Sequence, residues 1–373
     1  MLKLFRPVVL ALVVVGAARA EVGATDLHAI LKARLERSGV TGITAAMTLP
    51  DGTLVASSAG LARRGTDQQL QPTSRMMGGS SGKTFVAAVM LGLIDEGKAS
   101  LDDKVSKHLG ENEWFARLPN AEAITIRQLL NHTSGIRDHV REPAFAEAVN
   151  ADPMREWEWD ELLGFILDSE PLFEAGESFG YADTNFVIVG MIIEHITGRT
   201  VYELVEEQIQ TPLAMHGTIA QTQAKLPGLV SGYNSIPLFD LPEEVCVDGV
   251  YAINPQWEWC GGGFVTNSPD MARWIRAYAD GSLYTEETHA AFLDGVAANT
   301  GPGDRYGLGL QIISLPAGEG IGHSGFMPGY VTIALYFPEL DVSVAVQVNE
   351  STRAGLSLLR PLASELARIA SEG

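Results

Sequence analysis

Ser80 and Lys83 stand three residues apart in Ser80-Ser81-Gly82-Lys83, a spacing that puts a hydroxyl and an amine on one helical face. A serine hydroxyl is a poor nucleophile at neutral pH and needs an adjacent base, a task a desolvated lysine can perform. The residues after Lys83 run apolar from Phe85 to Ile94 apart from Gly92, which predicts a buried helix ended by Gly97. Ser80 then falls in the first turn, where free N–H groups and the positive dipole end favour a developing oxyanion. Alone, S-x-x-K also describes a helix cap followed by a surface lysine, so the pair needs partners elsewhere.

Two other segments compete for this chemistry. Gly78-Gly79-Ser80-Ser81-Gly82-Lys83-Thr84 approaches a phosphate-binding loop, but that pattern requires glycine at position 77, where Met77 stands. The residues before it, Gln69 to Arg75, are polar and broken by Pro72 instead of forming a buried strand. Gly176-Glu177-Ser178-Phe179-Gly180 matches the G-x-S-x-G elbow, which needs a strand before it and a helix after. Pro171, Glu174 and Gly176 interrupt the first requirement, while an apolar run satisfies the second. Two further segments carry groups that could act with Ser80 and Lys83: Tyr181-Ala182-Asp183, at the mouth of the helical run Phe186 to Ile196, and His323-Ser324-Gly325. The latter lies before a strand and is followed by Phe326-Met327-Pro328-Gly329. Taken singly, Tyr181 reads as a half-buried tyrosine, His323 as a satisfied strand histidine, and His132 and Thr133 as residues that shape a loop.

The elements that must position these groups follow from patterning. Thr25-Asp26 caps a helix with Leu27, Ile30, Leu31 and Leu35 on one face, and Pro50-Asp51-Gly52 turns a hairpin between Ile43–Leu49 and Thr53–Ser57. From Ser100 to about His289 helical patterns and long loops dominate, including Trp159 to Leu167 and an irregular rim from Pro227 to Pro255. A helix is predicted from Ser268-Pro269-Asp270. Strands are predicted at Tyr306–Ser314, Tyr330–Phe337 and Val342–Asn349, then a last helix from about Gly355 to Ser371 that Pro361 kinks or delays. This order predicts an α/β fold of the α+β type: an antiparallel sheet flanked by helices and interrupted by an inserted, mainly helical lobe. The sheet part takes about residues 21–99 and 290–373 of a single catalytic domain, and the lobe about 100–289.

Residues 1–20 have the form of a secretory signal. Lys3 and Arg6 precede the apolar stretch Val8 to Ala18, and Ala18-Arg19-Ala20 supplies a small-x-small cleavage site before Glu21. The stretch is shorter than the roughly 20 residues that span a bilayer, so cleavage without membrane insertion is expected, against the rival of an uncleaved anchor. With 46 acidic and 26 basic residues the formal charge is −20, and loss of Lys3, Arg6 and Arg19 takes it to −23. Such a surface repels nucleic acid and anionic lipid and suits a periplasmic or secreted protein. Cys246 and Cys260 are the only cysteines. They are too few for a structural zinc site, and a disulfide between them and two separate buried thiols are both open readings.

Ser80-x-x-Lys83, Tyr181-x-Asp183 and His323-x-Gly325, in this order, resemble the three motifs of the penicillin-recognising serine hydrolases: S-x-x-K, Y-x-N, and K-T-G or H-x-G. The connecting text resembles that family too, from Ile124 to Gly135, from Gly190 to Gly198, and at Gly261-Gly262-Gly263-Phe264. The likeness runs over nearly the whole chain after residue 20 and points to the branch of class C β-lactamases, D-Ala-D-Ala carboxypeptidases, esterases and D-amino-acid amidases. It implies a β-lactamase/transpeptidase-like fold and an acyl-enzyme on Ser80, with Lys83 and Tyr181 relaying the proton. It further implies an oxyanion hole from the N–H groups of Ser80 and Phe326, and substrate aligned along His323-Ser324-Gly325. No metal or organic cofactor is implied. The substrate is expected to be a small molecule or peptide with an amide or ester carbonyl. Two departures bear on it. Asp183 replaces an amide that would donate to a substrate carbonyl, and Asn185 is its only nearby substitute. His323 replaces a permanent cation, so any pull on a substrate carboxylate becomes weaker and pH-dependent. The reading is carboxypeptidase-like or β-lactamase-like amide hydrolysis, with a carboxylesterase of the same fold as alternative and a non-catalytic binding or sensor protein as the alternative of another class.

Overall fold

The computed structural model describes residues 23–372; the segment read as an export signal lies outside them. Its centre is an eight-stranded antiparallel sheet of β1 (Gly42–Thr48), β2 (Leu54–Gly60), β3 (Val296–Ala297), β4 (Arg305–Tyr306), β5 (Gln311–Leu315), β6 (Gly318–Met327), β7 (Tyr330–Phe337) and β8 (Val342–Val348). The spatial order is β2-β1-β8-β7-β6-β5-β4-β3. The N-terminal hairpin thus joins the C-terminal strands through β1 on β8, where Ala45 faces Val346. Both faces are covered, so β1, β7 and β8 are buried along their length; β7 reads as a nearly continuous apolar run, while β8 still alternates, with Ser343 and Gln347 buried among its valines.

Helices α1 (Ala24–Ser38) and α5 (Arg353–Glu372) cover one face, where Leu27, Leu31, Leu362 and Leu366 share a core with Ile43, Ile333 and Val344. On the other face α4 (Ser268–Ala279) lies against β8, with Ser343 Oγ donating to the Ala272 carbonyl. Helix α2 (Lys83–Asp95) is buried from Lys83 to Leu93. It is tied to α4 by Trp274 Nε1 donating to Thr84 Oγ1 at 2.7 Å and packs against α3 (Asp183–Thr197) on its far side.

Several expectations need correction. The helix beginning at Ser268 belongs to the sheet layer and not to the inserted lobe, because its apolar face has β8 to cover. Tyr306 to Ser314 is two strands, β4 and β5, split by a turn in which Gly309 takes φ +75°. Trp159 to Leu167 forms a helix only over Trp159–Leu163. Helix α5 runs from Arg353 with Pro361 inside it. His323-Ser324-Gly325 lies within β6 and not ahead of a strand. Cys246 and Cys260 are separate buried thiols. Among the described residues no helix is long and apolar enough to cross a membrane.

Candidate active site

Ser80 sits in a 3-10 turn, Gly79–Gly82, that leads directly into α2. The turn is pressed backbone to backbone against β6. A Cβ on Gly325 would lie 1.9 Å from the Gly78 carbonyl oxygen, and one on Gly79, whose φ is +52°, would lie 2.7 Å from Phe326 N. Two glycines are therefore needed where nucleophile turn and strand meet, and this contact brings the Ser80 backbone beside Phe326. Strand β5 pairs with β6 only as far as Gln311 opposite Gly322, so the rest of β6 is an edge. On that edge Ser324 N–H and Oγ–H both donate to Gln311 Oε1, at 3.0 and 2.9 Å, and the Ser324 carbonyl accepts from His323 Nδ1 at 2.5 Å. The strand repeat directs the Phe326 peptide groups to the same side as those of Ser324, where β5 has ended. The expected alignment along His323-Ser324-Gly325 is corrected accordingly: Ser324 is satisfied by its own chain, and Phe326 offers the free edge.

Lys83 is fully buried and donates to Ser80 Oγ at 3.3 Å, to Asp183 Oδ1 and to the Gly261 carbonyl. Three acceptors thus match the three donors that a lysine ammonium carries. Gly261 reaches it because the segment Pro255–Gly261 kinks at Trp259, which takes φ +35° and stacks on Trp159 with ring centroids 4.1 Å apart. Two further buried carboxylates surround the pair. Asp138 accepts the Asp183 N–H at 3.1 Å and is raised to about 7, by burial first and then by the charge of Asp183. Glu258 accepts from Gln221 Nε2 at 2.9 Å and is also raised to about 7, again chiefly by burial and then by Asp183. The positive-φ strain at Trp259 and these two acids left no mark in the sequence patterns.

Glu258 carries a pH signature. Its folded pKa lies above its unfolded one, so between about pH 4.5 and 7 the folded protein holds a proton that the unfolded chain has released. That stability is complete below the unfolded pKa and is lost as pH rises through 7. Glu258→Gln keeps the acceptor for Gln221 and removes the ionisation. It is expected to gain up to about 3 kcal/mol over the parent protein at pH 8 relative to pH 5, read by urea denaturation at both. An equal difference at the two pH values would show that Glu258 does not titrate in this window.

Tyr181 precedes α3, and its hydroxyl is buried with no partner at full hydrogen-bond geometry among the described residues. Burial, and then the charge of Asp183, push it well above the usual phenol range, while Ser80 beside it acts in the opposite direction. His132, in the left-handed region at φ +58°, places this side chain. Its carbonyl accepts from Gly180 N at 2.9 Å, its Nδ1 accepts from Ala182 N at 3.3 Å, and its ring lies 4.3 Å from that of Tyr181. Asn185 donates to the same Nδ1 at 3.0 Å and accepts from Ser134 Oγ at 2.6 Å. Asn185 is thereby committed to the loop and does not stand in for the missing amide.

With Nδ1 accepting, His132 Nε2 donates to the Tyr306 hydroxyl at 3.2 Å, and Tyr306 donates to His323 Nε2 at 2.9 Å. The chain of donors ends at the Ser324 carbonyl. His323 is 1% exposed and pushed down to about 3, by burial first and then by Lys83. The expectation of a pH-dependent cation for a substrate carboxylate is therefore corrected: the ring is neutral and turned inward to Tyr306. Tyr306 gave no sequence signal, since β4 is two residues long. Ser178 is exposed on a loop with no strand before it, which leaves the elbow without its geometry. No cluster of metal-ligating side chains occurs among the described residues.

The chain is similar to known proteins. The beta-lactamase family profile matches residues 27–367. The putative penicillin-binding protein PbpX of Bacillus subtilis is 24% identical over 79% of this chain and 67% of its own length. Protein flp of Staphylococcus aureus is 28% identical over 55% of this chain, a match that spans only 39% of that protein. Among solved structures, a D-stereospecific amidohydrolase from Streptomyces sp. is 29% identical with a TM-score of 0.75, covering 89% of this chain and 98% of that one. A D-amino acid amidase from Ochrobactrum anthropi SV3, crystallised with L-phenylalanine amide, is 24% identical with a TM-score of 0.76, covering 93% and 97%; it speaks for the fold alone. A family match over nearly all the described residues, on a fold that sets a buried lysine against a serine at a helix start, leads to one assignment: the chain belongs to the beta-lactamase family and is a serine hydrolase.

Proposed function

We propose that the protein hydrolyses amide bonds through an acyl-enzyme on Ser80. The observation that carries this reading is Lys83 Nζ bonded to Ser80 Oγ at 3.3 Å, with Ser80 beside the otherwise unpartnered Tyr181 hydroxyl. Ser80 Oγ attacks the carbonyl, its proton passes through Lys83 and Tyr181 to the leaving nitrogen, and the C–N bond breaks. The N–H groups of Ser80 and Phe326 receive the oxyanion. Water then enters by the same relay and releases the acid.

The proposed substrates are amides without a carboxylate beside the scissile bond. His323 is neutral, Lys83 is already paired, and Arg141 is drawn to Asp138, so none of these described residues offers a free cation to a carboxylate there. The amidohydrolase relative, 29% identical, supports an amide over a β-lactam or a C-terminal peptide acid. The test is intact mass after exposure to a fluorophosphonate, a labelled penicillin and a p-nitrophenyl ester, with Ser80→Ala and Ser178→Ala as controls. Labelling by the fluorophosphonate that disappears in Ser80→Ala alone is the expected result. Labelling that persists in Ser80→Ala and is lost in Ser178→Ala would sink the mechanism. Turnover of the ester without turnover of any amide would move the assignment to a carboxylesterase.

A further inference from the structure

We infer that Asp183 is the docking point for a substrate ammonium group, so that the preferred substrates are amides of amino acids with a free amine, and that docking there activates Lys83. This rests on the acyl-enzyme reading above and names the substrate class for that site.

Asp183 uses one oxygen, Oδ1, for Lys83. Its Oδ2 makes no hydrogen bond among the described residues, and the side chain is 17% exposed. A carboxylate oxygen only accepts, so its natural partner is a donor, and a charged donor forms the stronger bond. The surroundings favour a cation. Asp138 and Glu258 add two buried carboxyls that interact with Asp183, and His132, His139 and His323 are all held neutral by burial. Among the described residues Lys83 is the one cation bonded to Asp183 itself, and Arg141 is mostly exposed and turned to Asp138. Reach is also suitable. One nitrogen, Lys83 Nζ, bridges Asp183 and Ser80 Oγ, so the carboxylate lies two hydrogen bonds from the nucleophile. An α-ammonium is separated from its carbonyl carbon by one atom, Cα, which suits that gap.

The same geometry explains how a lysine bonded to three acceptors becomes a base. A substrate ammonium on Oδ2 shares the charge that binds Lys83, and two cations beside one carboxylate disfavour each other. Lys83 then gives one proton to solvent water and is left as the amine. Ser80 Oγ–H passes its proton to that amine while the Oγ–C bond forms. The proton continues through Tyr181 to the leaving nitrogen as the C–N bond breaks, so protons and electron pairs balance. A cation on Asp183 also offsets one of the charges that hold the Tyr181 phenol high.

The experiment compares kcat/KM for alanine p-nitroanilide, in both enantiomers, with the N-acetylated compounds, in wild type, Asp183→Asn and Asp183→Glu. Fluorophosphonate labelling of Ser80 is measured on every variant. Wild type is expected to prefer the free amine by about tenfold or more. The ratio should fall towards one in Asp183→Asn and return in part in Asp183→Glu. The wild-type preference should also decline as pH rises past the substrate's amine pKa, near 8, which a purely structural carboxylate would not produce. No preference in wild type, an equal loss on both compounds in Asp183→Asn, or labelled enzyme that cleaves neither anilide would each overturn the inference. Absence of Ser80 labelling in wild type would instead overturn the acyl-enzyme reading.

Discussion

Lys83→Ala is expected to lower kcat/KM for the protein's amide substrates by about 10²–10⁴-fold, the usual contribution of a positioned general base. Lys83→Arg separates base from charge. Arginine does not deprotonate in a protein, yet it preserves a cation opposite Asp183. If the lysine works as a base, both variants lose activity alike. If it only stabilises charge, Lys83→Arg retains most of it, and that outcome would refute the relay. A stability cost comes with the alanine variant. It leaves the Asp183 carboxylate without its cation, a loss of about 3–5 kcal/mol for a fully buried pair and less here because Asp183 is partly exposed. Lys83 also holds Asp138 and Glu258 down, so its removal raises both further. Stability of Lys83→Ala should therefore fall more steeply with rising pH than that of wild type, and the fall should extend to higher pH. Activity is read from progress curves, and stability from urea midpoints at pH 5, 7 and 9.

The chemistry of the centre was legible because its signal is local. Ser80 and Lys83 are related by one helical turn, and the apolar run behind them can only be a buried helix. Tyr181 and Asp183 stand out through the resemblance of their motif at the mouth of an apolar helix, and α3 does begin at Asp183. What failed was direction. His323 stands where the resembled motif carries a permanent cation, which predicts a ring turned toward substrate. Inside β6 its ring turns to Tyr306, a residue seventeen positions away that only the β4–β5–β6 turns bring near. Asp138 and Glu258 escaped notice for the same reason. Each sits in an irregular segment without periodicity, and their proximity to Asp183 exists only in the folded chain. The sequence alone predicts His132 to shape a loop. It does shape the loop, and through that loop it sets the position of the Tyr181 ring.

Gly325→Ala is expected to lower kcat by about 10²–10³-fold, comparable to the loss of an oxyanion donor. The added Cβ would lie 1.9 Å from the Gly78 carbonyl oxygen and 3.0 Å from Ser81 Oγ. The first of these is backbone and cannot rotate away. Nor can the nucleophile turn withdraw freely, since Gly78 N donates to the Phe264 carbonyl at 2.8 Å and Gly79 already lies against Phe326. Relief must come from spreading β6 from the turn, which separates the two N–H groups that would hold the oxyanion. Gly325 does not occupy the left-handed region, so no conformational strain adds to the steric effect. Overpacking of this kind costs about 1–3 kcal/mol, a fraction of a domain's stability, so the variant should fold. Its kcat should fall far more than its KM changes, because the damage lies in a contact made only as charge develops on the carbonyl oxygen. Denaturation midpoints and steady-state kinetics on the same preparation separate the two effects. A stable Gly325→Ala protein with kcat within twofold of wild type would mean that the Phe326 N–H is not an oxyanion donor, and that the contact between β6 and the Ser80 turn serves packing alone.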